Sequence, residues 1–254
     1  MRIRTVISYD GTNYVGYQVQ LNGISIQEKI EKALFEITGE KIVLHASGRT
    51  DSGVHARAQV AHFDTESKIP PDKFSFALNA HLPKDIRIMH SEEADREFHS
   101  RFSAKKKTYC YTVQNGIHEN PFLRNTALFI HSDIDFDAMQ KEAEAVVGTH
   151  DFAAFRSTGT VNKTTVRTVF ESYWTKKENL YIYTVTGDGF LYNMVRILAG
   201  TMLDVGTKRL EKGAIARALE STQRSDAGAT APPHGLMLYR VVYPDFDTED
   251  VLKK

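Results

Sequence analysis

The decisive stretch of the sequence is Gly48-Arg49-Thr50-Asp51-Ser52-Gly53-Val54-His55-Ala56, a polar loop between two predicted strands. Residues 41–47 have strand character before it, and Gln59-Val60-Ala61-His62-Phe63 has the pattern of the strand after it. If residues 49–51 stay extended, the guanidinium of Arg49 and the carboxylate of Asp51 lie on one side of the chain and can pair. Such pairing favours the ionised carboxylate. The loop is therefore a candidate ligand site.

A plainer role for Asp51 is open at this stage. An aspartate before glycine commonly bonds the backbone one or two residues further on and so stabilises a turn. Here those backbone groups belong to Ser52 and Gly53. Composition of the loop alone favours this turn role, so a functional role for Asp51 needs support from the rest of the chain.

Outward from the loop, the first half of the chain mixes strands and helices. Residues 2–9 are predicted as a strand that ends in the turn residues Asp10-Gly11-Thr12-Asn13. A helix is predicted from Ile26, because Ser25 and Glu28 form a capping-box pattern and Gly39 supplies a stop. A second helix over residues 72–80 and a strand over residues 86–90 complete this half.

The pattern starts again near residue 104. Strands are predicted at 108–114, 166–175, 180–187 and 236–243, and helices at 136–147, 190–205 and 211–220. Such neighbouring strands pair more readily as antiparallel neighbours than through crossovers. We therefore predict an α+β fold of two α+β halves, residues 1–104 carrying the Asp51 loop and residues 105–254 forming the second half.

Composition narrows the class of protein. The 254 residues include one cysteine, Cys110, so no intrachain disulfide can form, which suits a reducing, cytoplasmic location. The charged start of the chain argues against a secretion signal, and the lack of a long apolar run argues against a membrane-spanning segment. Formal net charge is zero, so bulk charge does not point to nucleic acid and any RNA site must come from local basic patches.

Common signatures of cofactor and metal chemistry are missing from the sequence. It contains no phosphate-binding Gly-Lys-Ser/Thr loop, no dinucleotide-binding glycine pattern and no Gly-x-Ser-x-Gly elbow. The ten histidines are dispersed and none has the spacing of a zinc site. We expect no metal and no cofactor.

Four motifs in order resemble the tRNA pseudouridine synthase A family, over nearly the whole chain. They are Tyr9-Asp10-Gly11-Thr12-Asn13-Tyr14-x-Gly16-Tyr17-Gln18, the loop residues Gly48-Arg49-Thr50-Asp51-x-Gly53-Val54-His55-Ala56, Arg101-Phe102-Ser103-Ala104 with Lys107-x-Tyr109-x-Tyr111, and Phe190-Leu191-Tyr192-Asn193-Met194-Val195-Arg196. Chance agreement of four ordered motifs is remote.

The resemblance implies a reaction and a substrate. Uridine in the anticodon stem-loop of tRNA, at positions 38–40, would be detached from C1′, turned and rejoined through C5 without a cofactor. The family also implies a homodimer with tRNA lying across both subunits, and two halves whose mainly antiparallel sheets meet at a central active-site cleft. The target uridine would have to leave its stack.

The resemblance also implies roles for particular side chains. Asp51 would be the essential carboxylate, either a nucleophile or a base. Arg49 and Arg196 would support it, and Tyr109 would stack on the target base. Two plainer roles are open: Arg196 on the wet face of a helix, and Tyr109 as a packed strand residue, a role that suits Tyr111 better.

Local basic groups could contact RNA phosphates despite the zero net charge. They could equally be solvated surface charges. These residues are Arg96, Arg101, Lys105, Lys106, Lys107, Lys208 and Arg209.

Two other classes of function compete with the synthase. One is a non-catalytic RNA-binding protein of the same fold, against which the joint presence of Arg49, Asp51, Tyr109 and Arg196 argues. The other is a small-molecule hydrolase that uses Asp51 and His55, for which the sequence offers no oxyanion signature or second acid.

Overall fold

The computed structural model describes residues 1–157 and 164–253. The strands there are β1 (Arg2–Tyr9), β2 (His45–Ala46), β3 (His55–Asp64), β4 (Ile86–Ala94), β5 (Lys106–Asn115), β6 (Leu128–Ile130), β7 (Gly148–Asp151), β8 (Val166–Lys177), β9 (Leu180–Gly187) and β10 (Leu236–Val242). The helices are α1 (Ile26–Thr38), α2 (Phe74–Asn79), α3 (Phe136–Glu144), α4 (Met194–Gly206), α5 (Ala214–Ser221) and α6 (Thr248–Leu252). The predicted α+β class with mainly antiparallel pairing is confirmed.

The chain divides into two units. Unit one comprises Met1–Lys107 and Met237–Lys254, and unit two comprises Thr108–Leu236. The sequence predicted a division at residues 104 and 105 with everything after it in the second half. The structure instead returns the last segment to unit one, because β10 pairs with β3, a long-range contact that no local pattern encodes.

Unit one is built around β1. It pairs antiparallel with β3 on one side and with β4 on the other. β3 also pairs antiparallel with β2 and parallel with β10, where Met237 lies opposite His55. Since β2 and β3 are joined by residues 47–54, pairing these two strands closes the loop that carries Asp51.

The predicted capping box of α1 is present. Ser25 Oγ accepts the Glu28 amide at 3.2 Å, and Gly39 ends the helix in the left-handed conformation at φ 75°. Its buried face consists of Ile26, Ile30, Ala33 and Leu34. Burying each of the larger side chains contributes about 1.5–3 kcal/mol, which exceeds the intrinsic helix propensity of any residue.

Unit two contains the hairpin of β8 and β9, with β7 antiparallel to β8, β5 beside β9, and β6 parallel to β5. Helix α4 is almost wholly buried and packs against α3 and α5. Trp174 stacks on Tyr183 with ring centroids 5.2 Å apart and donates its indole N–H to Met202 Sδ. This core fixes the orientation of α4, which carries Arg196.

Several predicted elements differ in extent. The strand predicted at 41–47 is reduced to His45–Ala46, while the strand predicted at 86–90 extends to Ala94. The helix predicted from 190 begins at Met194, because Asn193 adopts the left-handed conformation at φ 61°. In the two described ranges, no helix is long and apolar enough to cross a membrane.

Candidate active site

Hydrogen bonds to β3 hold the start of the 48–54 loop in place. The Ser47 amide donates to the Val60 carbonyl at 2.7 Å, and its hydroxyl donates to Gln59 Oε1 at 2.7 Å. The amide side chain of Gln59 also donates to the Gly48 carbonyl at 2.8 Å. Gln59 is fully buried, so these bonds are shielded from water and fix the backbone that leads to Asp51.

Thr50 anchors the middle of the loop. Its hydroxyl lies 2.7 Å from the hydroxyl of Tyr9 in a buried hydrogen bond, and its carbonyl accepts the Tyr17 amide at 3.1 Å. Burial raises the pKa of Tyr9 well above its usual value, so its phenol stays protonated at neutral pH. Thr50 is therefore turned inward, while the preceding Arg49 is exposed.

Asp51 begins a tight turn. The Val54 amide donates to the Asp51 carbonyl at 3.1 Å. The Gly53 amide donates to the Tyr14 carbonyl at 3.3 Å, so one of the two backbone groups of the alternative turn role is already engaged. Ser52 Oγ donates to the same carbonyl at 3.2 Å. The loop is thus pinned by Tyr14, and Asp51 is half-buried.

Two glycines of the 10–17 segment lie against the backbone of the loop. A Cβ on Gly11 would be 2.0 Å from the Val54 carbonyl oxygen, and one on Gly16 would be 2.8 Å from the Thr50 carbonyl oxygen. Gly16 also has φ +116°, a conformation that L side chains rarely adopt. Sequence reasoning gave Gly11 only a turn role and Gly16 none, although both belong to the first motif.

The predicted Arg49–Asp51 pair is not formed. Arg49 is exposed, and within residues 1–157 and 164–253 its guanidinium makes no hydrogen bond or ion pair. The physical reason lies in the turn: alternation along the chain ends at Asp51, where the backbone folds back towards Val54. Arg49 therefore points to solvent beside the loop.

His55 follows the loop and is buried at the start of β3. Its Nδ1 accepts the Gly11 amide at 3.0 Å and lies 3.1 Å from Asp10 Oδ1. Burial alone would raise the pKa of Asp10, but hydrogen bonds from Thr12 and the nearby imidazole of His55 lower it. His55 is thus engaged in holding the 10–11 turn, which weakens the hydrolase alternative that needs it as a base.

Lys107 is the last residue of the first segment of unit one, and its side chain contacts the start of the loop. Its ammonium donates to the Ser47 carbonyl at 2.5 Å. Burial, and then the nearby charge of Arg101, lower its pKa to about 8. Lys107 was predicted as a possible phosphate contact; the structure places its charge against the protein backbone behind Gly48.

Unit two carries the other two predicted site residues. Tyr109 on β5 is 8% exposed, and its ring meets Phe190 edge-on with centroids 5.2 Å apart. Tyr111 is two residues along the same strand, wholly buried, and its hydroxyl donates to the Pro232 carbonyl at 2.9 Å. Tyr111 is thus a packed core residue, and Tyr109, which is also buried, packs against a phenylalanine of the fourth motif.

Arg196 is held in place on α4. Its Nε donates to the Ala231 carbonyl at 2.7 Å and its Nη1 to Asn193 Oδ1 at 2.8 Å. Asn193 in turn donates to Ser157 Oγ at 2.9 Å. A half-buried guanidinium with fixed hydrogen bonds is not a solvated surface arginine, so the wet-face alternative is excluded.

The remaining basic candidates are surface residues. Arg209 is already paired, with Nε 3.0 Å from Asp204 Oδ1. The other exposed basic candidates are Arg96, Arg101, Lys105 and Lys106 in unit one and Lys208 in unit two. Within the described part of the chain, no group of three or more His, Cys, Asp or Glu side chains is placed to hold a metal ion.

Comparison with known proteins identifies the family. The family described as tRNA pseudouridine synthase matches residues 5–103 and 143–244, which include Asp51 and Arg196 but not Tyr109. Proteins named tRNA pseudouridine synthase A are similar over nearly their whole length. That of Acetivibrio thermocellus is 45% identical over 241 residues, covering 95% of this chain and 99% of that protein.

Two further relatives have the same name and comparable similarity. That of Bacillus licheniformis is 46% identical over 245 residues, covering 96% of this chain and 99% of its own, and that of Caldicellulosiruptor bescii is 47% identical over 241 residues, covering 95% and 99%. With a family match across both units and full-length relatives above 40% identity, the chain belongs to the tRNA pseudouridine synthase family.

Proposed function

We propose that this isomerase converts uridine to pseudouridine at positions 38–40 of the anticodon stem-loop of tRNA, with Asp51 as its essential carboxylate. The family supplies the reaction, uridine to pseudouridine in tRNA. The observation that carries the assignment of Asp51 is the support of its loop. Tyr9 bonds the Thr50 hydroxyl, the Tyr14 carbonyl accepts from Ser52 Oγ and the Gly53 amide, Gln59 bonds the Gly48 carbonyl, and Gly16 lies against the Thr50 carbonyl.

The reaction makes a specific demand on such a loop. The N1–C1′ bond of uridine breaks, the C5–C1′ bond forms, the proton on C5 leaves and N1 gains a proton, so atoms balance with no oxidant and no second substrate. Attack on the sugar, addition to the base, or removal of a ribose proton all require an ionised carboxylate in a fixed position. Preorganised backbone provides that position before the substrate binds.

We assign supporting roles to Tyr109 and Arg196. The Tyr109 ring packs edge-on against Phe190 of the fourth motif, which fixes its orientation for stacking on a base. The Arg196 guanidinium is oriented by Ala231 and Asn193, so a planar donor group is held in a fixed position in unit two. We propose that Arg49 pairs with Asp51 only when tRNA is bound, since its side chain is exposed in the free protein.

The test uses tRNA transcripts in which one uridine at a time, at position 38, 39 or 40, carries tritium on C5. Isomerisation must release that tritium to water. The wild type should release it from these positions, and Asp51→Ala and Asp51→Asn should not. Asp64→Asn is the control for loss of one carboxylate charge: Asp64 lies in the same unit but at the far end of β3 from the loop, in a bidentate ion pair with Arg2.

Each outcome bears on a different part of the proposal. Release by the Asp51 variants would refute the role of that carboxylate. Release only from other uridines would refute the positions. No release by the wild type from any uridine, together with tight tRNA binding, would favour the non-catalytic RNA-binding alternative. We further propose a homodimer, which sedimentation of the full chain tests directly.

A further inference from the structure

A cluster of four rings lies at the edge of unit one, outside the Asp51 loop. It consists of His45, His62, His99 and Phe102, and we call it the ring cluster. Its centroid distances are 5.1 Å between His45 and His62, 4.8 Å between His62 and His99, and 4.3 Å between His99 and Phe102. The rings thus form a continuous series of contacts from the interior to the surface, because His62 is buried and Phe102 is 75% exposed.

The cluster is rigid. The amide of Ser100 donates to His62 Nδ1 at 3.2 Å, and its hydroxyl donates to the His45 carbonyl at 2.5 Å. The amides of Arg101 and Phe102 both donate to His99 Nδ1, at 3.1 and 3.4 Å. The backbone under Phe102 is therefore a hydrogen-bonded turn, and its ring needs little ordering before it binds a partner.

Exposure alone does not single out Phe102. Phe76 is 72% exposed, and Lys73 lies over its ring with Nζ 5.5 Å from the centroid. What distinguishes Phe102 is the stack of rings behind it and the exposed Arg101, whose guanidinium carbon lies 5.7 Å from the ring centroid. An aromatic face beside a guanidinium is the combination that binds an unpaired base and its phosphate.

The chemistry of the histidines fits a stacking surface. Burial, and then the neighbouring His99, lower the pKa of His62 to about 4, and burial with the neighbouring His45 also lowers the pKa of His99. Both imidazoles are therefore neutral at pH 7. The positive charge next to the cluster then comes from Arg101, with Arg2 also close enough to act on His62 and His99.

The cluster is tied to the candidate active site along the chain. His45 lies in β2, six positions before Asp51, and six positions span at most about 20 Å when extended. From His45 the cluster reaches Phe102 through His99, with centroid distances of 5.9 Å and 4.3 Å. The path from Asp51 to Phe102 is therefore roughly 30 Å at most, or about nine nucleotides at a rise of about 3.4 Å per stacked nucleotide. A base at Phe102 can thus belong to the same stem-loop as a uridine at Asp51.

We propose that Phe102 and Arg101 bind an unpaired nucleotide of the tRNA that lies within about nine positions of the target uridine. The base stacks on the Phe102 ring and Arg101 contacts the adjoining phosphate. This inference rests on the proposed function, since it adds a second point of contact for the same substrate. The histidine rings of the cluster hold the phenylalanine in place and do not themselves touch the reacting atoms.

The test compares Phe102→Leu, which keeps apolar bulk but removes the ring, with Phe102→Trp, which restores a stacking face. Phe76→Ala is the matched control for loss of an exposed phenylalanine. The affinity for tRNA should fall by about 5- to 150-fold in Phe102→Leu, the equivalent of ~1–3 kcal/mol for one stacked base. Phe102→Trp and Phe76→Ala should stay within about twofold of the wild type, well under 1 kcal/mol.

A second readout separates stacking from structure. 2-Aminopurine placed singly at each unpaired position of the anticodon loop should be quenched by the wild type at one position, and this quenching should be lost in Phe102→Leu and kept in Phe102→Trp. Unchanged affinity and quenching in Phe102→Leu would overturn the proposal. A change in oligomeric state with unchanged RNA binding would overturn it too, in favour of a subunit interface.

The two proposals fail differently. If the wild type releases tritium normally while Phe102→Leu binds tRNA as well as the wild type does, the ring cluster has no RNA role and the proposed function stands. If no tritium is released but Phe102→Leu still loses affinity and quenching, the RNA contact stands and the proposed function fails.

Discussion

Replacing Gly16 by alanine should impair catalysis more than folding. The added Cβ would lie 2.8 Å from the Thr50 carbonyl oxygen and 3.3 Å from the Asp51 carbonyl carbon. Relief to an ordinary 3.4 Å contact requires a shift of 3.4 − 2.8 = 0.6 Å in the backbone next to Asp51. Because a displacement of about 1 Å can cost a hundredfold in rate, we expect kcat to fall about tenfold.

Gly39→Ala is a close control for this substitution. Gly39 also has positive φ, at 75°, but a Cβ there would meet nothing within 4 Å. Both variants should lose roughly 1–3 kcal/mol of unfolding free energy through backbone strain. Only Gly16→Ala also moves the loop, so the difference in rate between the two variants isolates the contact with Thr50.

The assay is tritium release under single-turnover conditions with saturating enzyme, alongside urea unfolding of each variant. Saturating enzyme removes effects on tRNA binding, and the unfolding curves give the folded fraction by which each rate is corrected. Equal corrected rates for Gly16→Ala and Gly39→Ala would refute the reasoning. They would mean that the 10–17 segment does not set the position of the Asp51 loop.

Two further predictions concern cations near the loop. Burial lowers the pKa of Lys107 from 10.5 to about 8, so below pH 8 the charged ammonium destabilises the folded state. The unfolding free energy of the wild type should therefore rise between pH 8 and 10.5, by up to ~3 kcal/mol. Lys107→Met should lack this rise in urea unfolding at pH 7 and 10; an equal rise in both proteins would contradict the assignment. Arg49→Met should lower the rate at saturating tRNA by about 10- to 100-fold, the value of one charge-assisted hydrogen bond to Asp51 in the bound state. Its affinity for tRNA should change less, and equal losses in rate and affinity would indicate a phosphate contact.

Local signals were sufficient for much of the fold. Ser25, Glu28 and Gly39 mark both ends of α1 because capping depends on residues within one turn. The position of the Asp51 loop between β2 and β3 followed from the strand character of its flanks. The sequence was therefore sufficient to predict where the loop lies in the fold.

Local sequence signals could not predict the long-range contacts. The parallel pairing of Met237 with His55 joins residues more than 180 positions apart, and the close approach of Gly16 to Thr50 depends on how two loops pack. Arg49 shows the converse limit: its spacing from Asp51 permitted a pair, but the turn at Asp51 prevents it in the free protein. Spacing states what is possible, and packing decides which possibility is realised.

The discontinuity of unit one has a consequence for synthesis of the chain. The ribosome releases residues 108–236 before Met237 pairs with His55. Unit two can therefore complete its own contacts first, while His55 and Ala56 at the start of β3 lack the partner that β10 later provides. An exposed strand edge invites pairing with other chains. The second unit is in this sense a long insertion, and truncation before β10 should yield a nascent chain prone to aggregation.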